Sequence, residues 1–428
     1  MPEGPVREGQ APDASERTTS ETLRDWRLVD EIFRPALRAV LRAARELLTF
    51  DDPLDVELWA TELVDMWRGL CLVEDDPERV YGQSLVRIVR QNPAPEALAC
   101  MSALAAVAAP PVARKARQAA DELQRRGVQA PSWAAKLAAV RVVGAWTAGD
   151  PYGDQEAILL AFAHDGMQPH TFQLLVDHNF GGVVKGGFLT DTALEQVLDE
   201  WHPSEAWEFR AVDPAEAASK VRRGLRVRDH CLDMPESKSL EDCRILLDAR
   251  LGLLPQRSSS DTHSLEETTR GELREAFFSS PEAMEAPDDG QLVSMILDYR
   301  CDFCGEDPMR WSPTVVLLFL LDWLPRKVTL PPEAIPRVPA VLRAWVRFAG
   351  KRRELPSDLI EEIVATIDEV EHDYLDAVRD PSNFGPAKAA VGAMLKDGVD
   401  VTDEAEVDAW LVTFKQRSEV ERRQLLPA

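Results

Sequence analysis

The sequence predicts a mainly α-helical protein with a small α+β insert, in which two helical subdomains flank an antiparallel sheet of about three or four strands. Three observations predict this. Apolar residues recur at helical spacing through most of the chain. One passage, Ala157–Leu189, instead carries two short apolar runs, Ala157–Ala163 and Thr171–Val176, separated by Asp165-Gly166-Met167-Gln168-Pro169, the pattern of a hairpin with a longer loop. The chain has 428 residues, more than a single hydrophobic core organises, so two or three units are expected.

The elements follow in order. Residues 1–20 are polar and rich in Pro, Gly, Glu and Ser, which predicts a disordered tail. A helical subdomain spans 21–131. Leu23, Trp26, Val29, Ile32 and Phe33 mark a first helix, and Leu37, Val40, Leu41, Ala44, Leu47 and Leu48 mark a second that starts at Pro35, a residue suited to a first helical turn. Asp55–Leu70 places Leu58, Trp59, Leu63, Met66 and Trp67 on one stripe, and further helices are expected over 77–91, 94–107 and 111–126. A small α+β subdomain spans 132–235. Ala139–Trp146 reads as extended and leads through Asp150-Pro151-Tyr152-Gly153-Asp154 into the hairpin. Thr192–Trp201 returns to helical spacing, Ala206–Val212 suits an edge strand, and Pro214–Val227 reads as a helix closing the unit. Gln256–Asp261 reads as a flexible connection within a second helical subdomain, 236–428. Its helices are expected over 264–279, 288–302, 312–324, 336–351, 357–379, 385–397 and 403–417.

Composition narrows the function classes. The formal net charge is −25, a field that repels nucleic acid and anionic membranes as a whole. Only ten of the 49 basic residues are lysine, a bias suggestive of a high-GC bacterial genome. The N-terminus has no apolar signal-peptide core, and the strongest apolar run, Val315–Leu321, falls well short of the ~20 residues a bilayer needs. A cytoplasmic protein without membrane attachment is expected, with its six cysteines reduced.

The candidate sites come from clusters. A five-residue hairpin loop makes His164 and His170 a cross-strand pair within reach of one metal or one substrate proton, with Asp177 or His178 as a further ligand; their bland reading is that of solvated strand-end residues beside an Asx turn. Asp154, Asp177 and His178 are the candidate catalytic groups. In Gly181-Gly182-Val183-Val184-Lys185-Gly186-Gly187, glycine amides with Lys185 suit an anion, although the order matches neither a P-loop nor a dinucleotide fingerprint. Cys301 and Cys304 form one CxxC pair; with His230, Cys231 and Cys243 they suggest zinc, but a structural zinc module normally has two such pairs. No cofactor is expected otherwise. Arg326–Arg353 reverses the acidic balance. Within it Arg343, Arg347, Lys351, Arg352 and Arg353 offer a basic helical face for a partner, and the acidic segment Glu361–Asp380 offers an internal counterpart.

Several phrases carry a resemblance: DPLDVELWATELVDMW, ILLAFAH with LLVDHNFGG, SPTVVLLFLLDWLPRKVTLPPEAIPRVPAVLRAWVRFAG, and GPAKAAVGAMLKDGVDVTDEAEVDAW. In order and wording the chain from about residue 21 resembles an uncharacterised family of cytoplasmic proteins from high-GC bacteria. The resemblance implies one integrated architecture and carries no catalytic residue over.

With no complete nucleophile, phosphate or metal constellation, the reading that follows is a non-enzymatic interaction or regulatory protein with a protein partner. One alternative is a metal-assisted hydrolase with Asp154, His164, His170, Asp177 and His178 around the sheet edge. Another is nucleic-acid binding through the local basic helix alone.

Overall fold

A computed structural model describes residues 26–69, 76–201, 207–231, 234–256, 267–286, 289–305 and 307–417. The tail expected over 1–20, and all of the expected connection except Gln256, lie outside them.

The N-terminal helices are α1 (Trp26–Ala43), α2 (Pro53–Arg68), α3 (Pro77–Gln91), α4 (Pro95–Val107) and α5 (Pro110–Arg125). Four of them begin on proline, whose missing N–H would have had no intrahelical acceptor in the first turn. Aspartates complete two of these starts, Asp52 accepting from the Leu54 amide and Asp76 from the Arg79 amide. Where the sequence begins a second helix at Pro35, the structure keeps α1 continuous through it; a proline inside a helix removes one hydrogen bond and can kink the helix without ending it. The α4 and α5 faces meet through small side chains, including Ala97, Ala99, Ala116 and Ala119, all buried.

After the short α6 (Ala134–Leu137) comes a single five-stranded antiparallel sheet: β1 (Val140–Gly149), β2 (Gln155–His164), β3 (His170–Asp177), β4 (Val183–Thr190) and β5 (Glu208–Val212), in the order β4-β3-β2-β1-β5. The fifth strand, Glu208–Val212, falls within the segment expected as an edge strand and pairs with β1 at the edge. Central β2 is buried along most of its length, which is why its sequence is a continuous apolar run and not an alternating one. After α7 (Leu194–Glu200), α8 (Pro214–His230) starts on a proline capped by Asp213 and lies close on β4. At Gly224 of α8 a β-carbon would come within 2.5 Å of the Gly182 carbonyl, so the approach requires glycine. The next helix, α9 (Lys238–Leu251), packs against α2, α4 and β4.

One apolar cluster joins α1–α5, a face of the sheet, α8 and α9, running from Leu37 to Leu254. A second runs from Phe277 to Val378. It comprises α10 (Glu267–Phe278), α11 (Gly290–Asp298), α12 (Pro313–Leu317), α13 (Leu324–Lys327), α14 (Val338–Arg352) and α15 (Ser357–Ala377). α11 passes into a π-turn at Tyr299–Phe303, and a second π-turn at Leu318–Trp323 joins α12 to α13. The two turns pack on each other through aromatic rings: Tyr299 lies 4.9 Å from Phe319 and 5.0 Å from Trp323, centroid to centroid. A small third cluster, with Met394 and Trp410, holds α16 (Pro386–Lys396) to α17 (Glu404–Gln416). Lys388 ties α16 to α13 by donating to the Pro325 carbonyl at 2.8 Å with its Nζ 4.3 Å from the centre of the Phe384 ring. The architecture is therefore mainly α, with one antiparallel sheet flanked by helices. Among the described residues no helix is long and apolar enough to cross a membrane.

Candidate functional site

The hairpin sets the positions of the histidines. β2 and β3 are separated by residues 165–169, and Phe162 pairs with His170 across the ladder. His164 and His170 thus come together at the closed end, ring centroids 5.5 Å apart and each 1% exposed. Two residues the sequence reading did not single out complete the group. Glu57 on α2 and Arg250 on α9 are fully buried. Arg250 Nη1 donates to Glu57 Oε1 at 2.9 Å and Nη2 pairs with Oε2 of the same carboxylate, while Nε donates to His170 Nε2 at 3.0 Å. His164 Nε2 lies 3.2 Å from Glu57 Oε2, a charge-range contact without hydrogen-bond alignment.

Burial and the Arg250 charge push the His170 imidazole down to about 3, so it is neutral at physiological pH. Because His170 Nε2 accepts from Arg250, its proton sits on Nδ1, which is buried without a hydrogen-bond partner. Burial alone would raise the Glu57 carboxyl, but His164 and Arg250 outweigh it and hold Glu57 below the usual carboxylate range. The carboxylate is thus ionised and gripped at both oxygens. Glu57 and His170 are answered by the Arg250 guanidinium, and among the described residues no group of three His, Cys, Asp or Glu side chains could hold a metal ion. A cleft of about 370 Å³ between α4, α5 and α9 has Glu57 and Arg250 in its wall, with Arg117, Asp121 and Gln124 further out.

Asp154, Asp177 and His178 are elsewhere. Gln155 pairs with Asp177, which puts them at the open end of the hairpin. β2 is ten residues long, so they lie about 30 Å from His164 at about 3.3 Å per residue. Asp154 accepts from Arg310 Nη1 at 2.7 Å; Arg310 also donates to Asn179 Oδ1 at 2.9 Å and to the His178 carbonyl at 2.8 Å. Asp177 makes the Asx turn by accepting from the Asn179 amide, and its other oxygen lies 2.9 Å from Lys185 Nζ. Lys185, the anion candidate, is therefore answered by Asp177, and Gly181 and Gly182 serve a left-handed turn with φ of 71° and 72°. His178 lies 3.3 Å from Glu156, which also accepts from Lys220 at 2.9 Å. Burial would raise Glu156, but His178 and Lys220 prevail and hold it down at about 2. This charged end is also the seam with the second apolar unit, where Arg353 donates to the Tyr152 carbonyl at 3.1 Å and the Tyr152 hydroxyl donates to Glu362 at 2.6 Å.

On α14 the basic face meets the acidic α15. Arg343 donates to Asp368 at 2.6 Å and pairs with Glu371, and Arg347 donates to Glu361. Lys351 bonds Glu282 at 2.5 Å, and Arg352 lies over the Phe348 ring. The internal counterpart seen in the sequence accounts for Arg343 and Arg347. Cys301 is buried in the first π-turn and its thiol is pushed up to about 11 by that burial; Cys304 lies at the end of the same turn, and neither joins a metal-competent group among the described residues.

An apolar groove of about 610 Å³ lies between α1, α2 and α3, lined by Val40, Trp59, Leu63, Met66, Trp67 and Tyr81. Met66 is 53% exposed. Glu62, on the groove wall, has no ion-pair partner among the described residues. The same stripe of α2 appears in the sequence as Trp59, Leu63, Met66 and Trp67, where it reads as core. The missed pair had a fainter signal: Glu57 sits between Val56 and Leu58 near Ala60, and Arg250 follows Leu246 and Leu247 and precedes Leu251, so both charges interrupt apolar stripes. No family model, no curated protein and no solved structure matches the chain.

Proposed function

We propose that the protein is a non-enzymatic binding protein that takes an amphipathic helix of a protein partner into the groove between α1, α2 and α3. The observation that carries the reading is the apolar surface around the half-exposed Met66, uncovered among the described residues. Grooves of this kind recognise apolar anchors spaced along one face of a helix. Charge selects among such helices. Glu62 is the carboxylate on the groove wall, it lacks an ion-pair partner among the described residues, and the chain as a whole carries −25. A partner helix with Lys or Arg beside its apolar stripe complements both. The ionisable groups that a catalytic reading would use favour binding over chemistry, because His170, Glu57, Asp154, Asp177 and Glu156 all make internal bonds that fix structure.

The test uses the full-length chain and a model helical peptide of leucine and lysine with an apolar stripe, beside a scrambled peptide of the same composition. Fluorescence anisotropy is expected to register binding of the striped peptide only, weakened about tenfold or more by Met66→Glu and reversed in charge preference by Glu62→Lys. A photo-crosslinker in place of Met66 is expected to attach to the peptide. Equal binding of the two peptides, indifference to Met66→Glu, or crosslinking to residues 1–25 of the same chain overturns the reading.

A further inference from the structure

Arg300 lies in the first π-turn, is 1% exposed, has its Cζ 6.0 Å from the centre of the Tyr299 ring, and among the described residues has no hydrogen-bond or ion-pair partner at Nε or Nη2. These two nitrogens form the side-on edge of the guanidinium. Their N–H bonds run parallel at the spacing of two oxygens of a carboxylate or phosphate, the arrangement that makes arginine a bidentate ligand for such groups. A buried charge left without a partner is strongly destabilising, and π-turns recur at functional sites.

The surroundings supply positive charge and direct the nearby acids elsewhere. Arg353, at the end of α14, is close enough for the Arg300 charge to act on it; burial chiefly, and Arg300 in addition, push its guanidinium below the usual arginine range against the opposing pull of Asp307, Asp150 and Asp154. Each of those carboxylates is engaged. Asp150 accepts from the amides of Tyr152, Gly153 and Gln155, Asp154 accepts from Arg310, and Asp307 accepts from the Met309 amide. Gly153 is held at a left-handed φ of +79° in this turn, and the Arg310 and Arg353 side chains lie at ordinary contact distance from it.

We propose that Arg300 anchors a binding site for the anionic head of a small molecule, a carboxylate or phosphate group held side-on by Nε and Nη2, with Arg353 as the second positive charge. The burial of Arg300 limits the occupant to a compact oxyanion group and excludes a macromolecular surface.

The experiment titrates the full-length protein with sodium acetate, sodium phosphate or sodium chloride at matched ionic strength. It follows arginine Nε–H resonances by NMR and the midpoint of thermal unfolding. The resonance assigned to Arg300 by its loss in Arg300→Lys is expected to move saturably with an oxyanion and not with chloride, and the unfolding midpoint to rise in parallel. Saturation by acetate assigns a carboxylate head, and saturation by phosphate assigns a phosphate head. Arg300→Lys keeps the charge and loses the fork, and is expected to weaken the apparent affinity about tenfold or more. If neither oxyanion moves the resonance beyond chloride, or if Arg300→Lys keeps the wild-type oxyanion-dependent stabilisation, the site does not exist.

Discussion

Arg250 and Arg300 are buried to the same degree, 2% and 1% exposed, yet the protein treats them in opposite ways. Arg250 is met by both oxygens of Glu57 and by His170, and it joins α2, α9 and β3 across the centre of the first apolar cluster. Among the described residues Arg300 has its bidentate edge unanswered, with the charge of Arg353 within electrostatic reach. A satisfied buried cation is a fastener, whereas an unsatisfied one spends stability on something that the chain's own folding does not require. Arg250 therefore carries architecture, and Arg300 is the place to look for a small anionic ligand.

The comparison breaks most directly at Arg250. Arg250→Met leaves Glu57 ionised in the core without its partner, and is expected to cost about 3–5 kcal/mol in urea unfolding. Glu57→Leu/Arg250→Met removes both charges and is expected to recover more than half of that loss. A double variant as unstable as the single one would mean that the pair itself, not the stranded carboxylate, supplies the stability.

Acid sharpens the same region with a smaller effect. His170 has a folded pKa of about 3 against an ordinary 6.5, so below pH 6.5 the unfolded chain binds a proton that the folded chain refuses. The contribution is complete above 6.5 and is lost as pH falls towards 3, with a slope of about 1.4 kcal/mol per pH unit. Between pH 6.5 and 4.5, before the carboxylates titrate, wild type should lose stability on acidification more steeply than His170→Gln. Parallel curves from chemical denaturation at each pH would refute this placement of His170. Glu156, held at about 2, adds its own loss only below the ordinary carboxylate range, as pH falls from 4.5 towards 2.

The smallest effect is expected on the helix pair of the second region. Arg343 and Arg347 meet acids that are themselves largely exposed, so Arg343→Gln/Arg347→Gln should cost no more than about 1 kcal/mol and the cost should shrink in high salt. A larger, salt-independent loss would make α14 and α15 as much a fastener as Arg250.

The sequence discloses local features well and distant pairings poorly. The helix over 77–91 and the hairpin about residues 165–169 were legible because periodicity and turn residues act over a few positions; the loop brings the His164 and His170 rings close, but the ladder pairs His170 with Phe162, so the two are offset and not directly opposite. Glu57 and Arg250 stand 193 positions apart, and nothing local marks two charges as partners across such a distance. The five hairpin-region residues looked like one cluster in the sequence because the chain folds back on itself there. In the structure β2 separates them by its whole length, with His164 and His170 at one end and Asp154, Asp177 and His178 at the other. The basic run on α14 was legible, and so was its acidic counterpart, but whether the two met depended on helix packing.

The two π-turns that bring Tyr299 against Phe319 and Trp323 have a meaning for the protein's ancestry. A π-turn holds one residue more than an α-turn and is the form in which a helix absorbs a single-residue insertion without melting. Removing that residue would restore a regular helix and rotate everything after it by about 100°. Chains descended from a common ancestor with this one should then differ in length by a single residue at Leu318–Trp323, between α12 and α13, where alignments seldom place a gap.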